Sequence, residues 1–429
     1  MNSMQMRDKI NIWIAVAAAA VVEIWALYVV SASAARWRPT MIVENEPQAR
    51  PLYEAMLDAA RRAQTLSYRS ICSGPGSEPS ACTVRLKKPN LIRVDLTNGM
   101  STKVTTVLAD GDRLRIFWSS DRPFLKVDDF ARYEQTQSNV YVDMTCSPDI
   151  DVLSEMTRLG VAWSNMIWSP RLFFGGADEF EPYIDGIRLR GTNEIGGQDC
   201  DVIEVSYFKA QRMRHYWLSR EDHLPRRIKE IVRLADNHVV VEEWWRVEID
   251  SSIPNEQFAW SPPEGHRVWN PPSLDEFLLE PGTEAPGFEL SSASGNTIRL
   301  ADFQGRVVWL CIWRVGSPAC RDEVRYLQSL HEKAKDKGLV ILGVNVADDR
   351  RIAQTFLRDE GITFPCILDS SKEAEKLFAE SYGVKSDSPP VGFLIGADGK
   401  VVDAWSGSDE NHARAAAALH AAGVSDVGD

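Results

Sequence analysis

Three features that would point to a common chemistry are missing from these 429 residues. Histidine is scarce, with 7 scattered copies, and no His, Cys and Asp are grouped at the spacing of a zinc site. No glycine-rich loop follows a strand-like run and opens a helix, so there is no phosphate-cradling motif. No dense Lys/Arg tract exists, and a formal net charge of −13 argues against nucleic acid as a partner. No cofactor and no metal are therefore expected. What remains is an ordinary globular composition, 25% charged and 44% hydrophobic, in a chain long enough for two or three domains.

The first segment, from Ile10 to about Ala35, is almost wholly apolar and long enough to cross a bilayer. Two readings are open: a cleaved signal peptide ending at Ala32-Ser33-Ala34, or an uncleaved anchor. The apolar run exceeds a usual signal core, which favours a single-pass anchor over residues 1–36, although Glu23 interrupts it. Arg7 and Lys9 flank one end and Arg36 and Arg38 the other, so charge specifies orientation weakly. The working assignment puts the N-terminus in the cytoplasm and the soluble domains on the extracytoplasmic (periplasmic) side of the cell membrane. Export suits the cysteines: Cys72 and Cys82 bracket the turn-rich SGPGSEPSA, and a hairpin disulfide is expected there. The alternative, that Cys72, Cys82, Cys146 and Cys200 are all reduced, stays open.

Beyond the anchor the chain divides by periodicity. PLYEAMLDAARRA, from Pro51, is helical, with Leu52, Met56, Ala59 and Ala63 on one face. Period two then takes over in LSYRSIC, CTVRLKK, LIRVDL, RLRIFW, CDVIEVSYF, RHYWLS, RRIKEIVRL and VVVEEWWRVEI. One helix followed by many antiparallel strands predicts a curved sheet or an incomplete barrel over residues 46–262. A proline-rich linker is expected at 263–281. From 282 to 424, apolar strands such as VVWLCIW, LVILGV and VGFLI alternate with helical patterns, which predicts an α/β layer. The fold class is thus multi-domain: a transmembrane helix, an antiparallel half-barrel β domain with one helix, and a C-terminal α/β unit.

Both globular parts resemble known families. Lys88-Pro89-Asn90, Ala109-Asp110-Gly111 and Leu224-Pro225-Arg226-Arg227 fall in the order seen in the lipoprotein-carrier (LolA-like) superfamily. That resemblance implies an apolar concave face for lipid or lipoprotein, lined here by Trp118, Trp217, Trp244 and Trp245; the bland alternative is that these aromatics are core. In the C-terminal part, PGTEAPGFEL, NTIRLADFQGRVVWLCIW, SPACRDE, KGLVILGVNV and SPPVGFLIGADGKVV resemble the thioredoxin-fold redoxins. The nearest groups are the membrane-attached thiol–disulfide oxidoreductases and the alkyl hydroperoxide reductase/thiol-specific antioxidant family. The resemblance implies a thioredoxin-like fold, a thiol protein or hydroperoxide as partner, and a cis proline at Pro390 facing the site.

The departures bear on mechanism. Ser317 stands where these enzymes carry their first, nucleophilic cysteine, and Gly316 where a Trp precedes it. Arg325 replaces a helix-kinking Pro, and Gly287 and Gly396 each replace an Asp. No disulfide forms within the motif unless Cys311 or Cys366, both in core-like strands, moves in. The candidate site is Cys320, Ser317 and Pro390. Three readings of Cys320 stay open. It attacks a peroxide, with Ser317 orienting the oxygen and Arg321 lowering the thiol pKa; against this, Trp313 stands where peroxiredoxins have Pro. It exchanges as a single thiol with a partner. Or it is structural, since Ser317 as N-cap and Pro318 at the first position are what a helix start favours. Asp369 and Asp387 are further residues that could face the site. The expected function is a membrane-anchored extracytoplasmic thioredoxin-like protein with thiol-based oxidoreductase or antioxidant activity; the alternative is a non-catalytic envelope binding protein.

Overall fold

The computed structural model describes residues 45–75, 78–98, 104–119, 139–145, 166–176, 178, 180–270, 273–334, 338–384, 389–407 and 412–424. The expected anchor, Cys146 and Asp387 lie outside them, and no described helix is long and apolar enough to cross a membrane.

Helix α1 (Arg50–Arg62) opens the β-rich part. Of the expected face, Met56 and Ala63 are buried and Leu52 and Ala59 are half-buried against the core, and the buried stripe widens to take in Tyr53, Leu57 and Ala60. The reason is polar: Tyr53 turns inward and donates its hydroxyl to buried Asp178 at 2.9 Å. The strands are β1 (Thr65–Ser73), β2 (Ser80–Lys87), β3 (Leu91–Asn98), β4 (Thr105–Ala109), β5 (Arg113–Trp118) and β6 (Val140–Thr145). They continue as β7 (Ile184–Ile195), β8 (Gln198–Tyr207), β9 (Arg212–Ser219), β10 (Pro225–Val232), β11 (His238–Ile249) and β12 (Arg267–Val268). They form one sheet in the order β12-β6-β5-β4-β3-β2-β1-β11-β10-β9-β8-β7, antiparallel except for β12 on β6. The proline-rich stretch therefore contributes a strand, followed by buried Trp269.

Side-chain alternation along the strands corrects two expectations. Trp118 and Trp244 are core residues, and Trp244 stacks on Tyr68 with ring centroids 3.7 Å apart. Trp245 follows Trp244 directly and so faces the other way, 38% exposed; Trp217 likewise lies opposite its neighbour Tyr216. The four tryptophans do not line one face. Cys72 pairs in register with Ser80, and Cys82 with Ser70, so the two thiols are diagonal neighbours. Diagonal positions are about 7–8 Å apart, beyond the usual Cα span of a disulfide. Both cysteines are free, which overturns the expected hairpin bridge.

The core face also carries buried charge. Arg212 and Arg214 on β9 each reach Glu230 on β10 at 2.7 Å. Beyond Tyr207, β8 turns into β9 through Phe208, Lys209 and Ala210, three consecutive non-glycine residues in the left-handed region (φ 53°, 57° and 60°). Each such residue costs roughly 1–2 kcal/mol, so surrounding contacts must hold the turn in place.

The C-terminal part is the α/β layer expected. A hairpin of β13 (Glu289–Ser291) and β14 (Thr297–Arg299) precedes a five-stranded sheet in the order β17-β16-β15-β18-β19. β15 (Val307–Ile312), β16 (Leu339–Asn345) and β17 (Cys366–Leu368) run parallel; β18 (Val391–Ile395) and β19 (Val401–Ser406) are antiparallel. Both faces of β15 are buried, which explains its unbroken apolar sequence. Trp309, Cys311 and Trp313 pack with residues of α2 (Pro318–Ala334), α3 (Arg350–Asp359) and α5 (Ala413–Ala421). Val308, Leu310 and Ile312 pack on the other face with Phe378, which follows the short α4 (Lys372–Lys376).

One prediction concerns the charge cluster. Burial alone would raise the pKa of Glu230, but Arg212 and Arg214 outweigh it and hold the carboxyl at about 2, below the ordinary 4.5. A depressed carboxyl stabilises the fold above its unfolded pKa and loses that contribution as pH falls. Urea unfolding should therefore show a loss of order 3 kcal/mol between pH 4.5 and 2. In Glu230→Gln this loss should be absent, at a cost of about 3–5 kcal/mol at neutral pH, because two arginines are left buried together. An unchanged acid profile in the variant would contradict the assignment.

Candidate functional site

The site is assembled at the end of the sheet where β15, β16 and β18 meet the first turn of α2. β15 runs into Trp313, whose amide continues the ladder by donating to Val344 O at 2.9 Å. The chain then turns and α2 starts at Pro318. Ser317 Oγ accepts the Cys320 amide at 3.3 Å, the capping geometry its residue type predicts. The Pro389–Pro390 peptide is cis, and Val391 immediately after it pairs with Ile312. The backbone thus brings Pro390 to the same sheet end as Ser317 and Cys320. The Pro390 carbonyl accepts from Gly407 N at 2.8 Å.

Cys320 is completely buried, and its thiol is pushed up to about 12. Burial is the main cause; a hydrogen bond from Ser317, a backbone contact at Arg314 and the Arg314 charge pull the other way without prevailing. With a pKa near 12, roughly one molecule in 10⁵ carries the thiolate at pH 7. Arg321, expected to lower this pKa, is turned to other work. It pairs with Glu360 at 2.7 Å, and its guanidinium lies 5.4 Å from the Tyr183 ring and 5.5 Å from that of Phe208. Arg325 pairs with Glu360 at 2.8 Å. Glu323 is buried one turn along α2 and faces His412 Nε2 at 3.3 Å.

Cys311 and Cys366, the cysteines that could have moved in to pair with Cys320, form no disulfide with it. Both are buried free thiols, and burial raises both pKa values, that of Cys366 to about 12. They flank Gly343 in register on β15 and β17, two strand spacings or roughly 9.6 Å apart, too far for a disulfide. Asp369 is also occupied, accepting the amides of Ser291 and Ser371 at 3.1 Å each. Among the described residues, no group of three or more His, Cys, Asp or Glu is placed to hold a metal.

The residue the sequence analysis missed is Asp348, just past the end of β16 and 3% exposed. One carboxylate oxygen accepts Val315 N at 2.7 Å and Asn345 Nδ2 at 2.7 Å; the other accepts Gln211 Nε2 at 3.0 Å. Burial raises its pKa against the pull of these donors and of Arg314. Asp348 therefore shapes the loop before α2 and joins it to the β domain. The available signal was its position, since sites in α/β sheets gather at strand C-terminal ends.

Residues 281–404 match the AhpC/TSA family. The thiol-disulfide oxidoreductase ResA of Bacillus subtilis is 30% identical over 145 residues, 34% of this chain and 77% of that protein. The ResA protein of Bacillus thuringiensis subsp. konkukian is 35% identical over 133 residues, 31% of this chain and 73% of its own. Among solved structures, the thioredoxin domain of a thiol-disulfide oxidoreductase from Bacteroides vulgatus is 28% identical; the match covers 30% of this chain and 91% of that one, with a TM-score of 0.28.

The site yields a prediction about stability. Asp348→Ala leaves three buried donors, on Val315, Asn345 and Gln211, without an acceptor. It should cost about 3 kcal/mol or more in urea unfolding, and Asp348→Asn, which keeps one acceptor oxygen, should cost less. Equal and small losses in both variants would show that the carboxylate does not organise the site.

Proposed function

The chain belongs to the AhpC/TSA family through residues 281–404, and from that premise we propose that it is a membrane-anchored, extracytoplasmic thioredoxin-like protein whose thiol chemistry is confined to one sulfur, Cys320. The observation that carries this reading is that Cys320 is the sole thiol in the family motif, on the first turn of α2, with Ser317 in place of its partner. A single thiol closes no disulfide within the motif. Its chemistry is exchange: the Cys320 thiolate attacks a partner protein's disulfide, one S–S bond forms as another breaks, and the partner's second sulfur leaves as a thiolate. An external thiol must then resolve the mixed disulfide, returning Cys320 to its reduced form. Ser317 caps the helix and contacts the thiol, and the pairing of Ile312 with Val391 brings the Pro390 backbone to the same end of the sheet. Peroxide attack is less well supported, because Trp313 fills the position of the peroxiredoxin proline and the Ser317 hydroxyl is engaged by the Cys320 amide.

The domain plan that goes with this reading is an anchor at 1–36, a LolA-like β domain at 46–262, a linker at 263–281 and the redoxin domain at 282–424. A second reading, a non-catalytic envelope protein that binds lipid or lipoprotein through its β domain, is favoured by a specific observation: Cys320 is wholly buried and its pKa is about 12.

Alkylation of the native protein against pH tests both. The folded thiol pKa lies above the ordinary 9.0, so the neutral thiol stabilises the fold fully below pH 9, and this contribution is lost as pH rises through about 12. The rate at Cys320 should accordingly show no plateau near pH 9 and should keep climbing beyond it. The exchange reading further requires a one-to-one adduct with oxidised glutathione that disappears in Cys320→Ser. No adduct at any pH that leaves the protein folded would leave only the non-catalytic reading.

A further inference from the structure

The segment between β8 and β9 reaches out of the β domain onto the redoxin site. We propose that this turn, Phe208–Gln211, is a built-in occupant of the face in front of Cys320, holding the place an incoming partner protein would take. The inference rests on the exchange reading above.

Four contacts, made by three residues of the turn, place it there. Gln211, 2% exposed, donates its side-chain amide to Asp348, the residue that fixes Val315 two positions before Ser317. The same side chain fills the space over Gly316: a Cβ at that glycine would lie 2.3 Å from Gln211 Oε1. Phe208 packs on Tyr183 at 4.7 Å, and Arg321, the residue after Cys320, lies over both rings. Lys209 pairs with Asp359 at the end of α3. A fifth contact comes from the neighbouring turn after β10, where Ala235 N donates to Ala347 O at 3.0 Å.

Two features of sequence and backbone agree. The redoxins this chain resembles carry a Trp at the position of Gly316. With a bare glycine there, the seat accepts a side chain from outside the redoxin domain. The turn itself holds three left-handed non-glycine residues in a row, a conformation that external contacts must maintain. The contacts within the β domain, Phe208 N to Tyr183 O at 3.1 Å and Ala210 N to Asp185 Oδ2 at 3.1 Å, fix its base. Its outward side is fixed by the redoxin domain.

On this reading the occupied face contributes to the burial of Cys320. A partner disulfide reaches Cys320 only when the turn lifts, so the β domain governs access to the redoxin site.

The test uses the full chain and peptide-resolved alkylation of native protein with iodoacetamide. Gly316→Ala pushes Gln211 from its seat, and Gln211→Ala in combination with Lys209→Glu removes three of the four contacts while leaving the redoxin domain unaltered. In both variants the rate at Cys320 should rise at least tenfold, while Cys72, in the β-domain core, keeps its wild-type rate. No rise at Cys320, or an equal rise at Cys72 in both variants, overturns the proposal. Exposed Cys320 is then offered oxidised glutathione: labelling without adduct formation refutes the exchange reading alone and leaves the built-in cover standing.

Discussion

A buried carboxylate does most to decide the form of this protein's candidate site. Asp348 accepts from the backbone of the loop before α2, from Asn345 at the end of its own strand, and from Gln211 in the β domain. Each donor is remote from the others in sequence, and each would be left buried and unpaired without it. The path of the chain into Ser317 and Cys320, and the seating of the β8–β9 turn over Gly316, therefore rest on the same group. Removing it disturbs the site and the contact between the two halves together.

The state of Cys320 follows from a comparison of magnitudes. A helix N-terminus favours a thiolate by about 0.3–1 kcal/mol at an exposed position. Against this, a rise in pKa from 9.0 to about 12 corresponds to roughly 4 kcal/mol in favour of the thiol. Burial wins by a wide margin. The capping hydroxyl and the Arg314 charge reduce its effect without reversing it. A thiol in these surroundings reacts only after its environment opens, so the important question about this member of the family is access.

Much of the architecture was legible in the sequence because periodicity records burial. The alternating strands and the apolar strands of the α/β layer stand where their patterns put them, and Ser317 caps α2 as its residue type predicts. Four strands escaped notice. β4, TTVLA, is buried along its whole length and shows no alternation; in β6, VYVDMT, Tyr141 blurs the alternation; β7 is rich in polar residues and lies at the sheet edge; β12 is two residues long inside the proline-rich stretch. Position across strands was not legible either. The expected pairing of Cys72 with Cys82 failed by two residues of register, which a loop length cannot fix. The function of Arg321 was misjudged for a related reason: its neighbour in sequence is Cys320, but its partners in space are Glu360 and two aromatic rings brought in by another domain. Asp348 and Gln211 were invisible because what matters about them is a contact spanning 137 residues.

The β8–β9 turn and the loop into α2 hold each other in place through Gln211 and Asp348. Native-state hydrogen exchange read by mass spectrometry tests this directly, by comparing peptides covering 208–212 and 314–321 across a denaturant series. Mutual docking predicts that the two segments open together, with the same free energy and the same dependence on denaturant, below that of the surrounding strands. If 314–321 exchanges freely while 208–212 stays protected, or the reverse, the two do not hold each other, and the burial of Cys320 must have another cause.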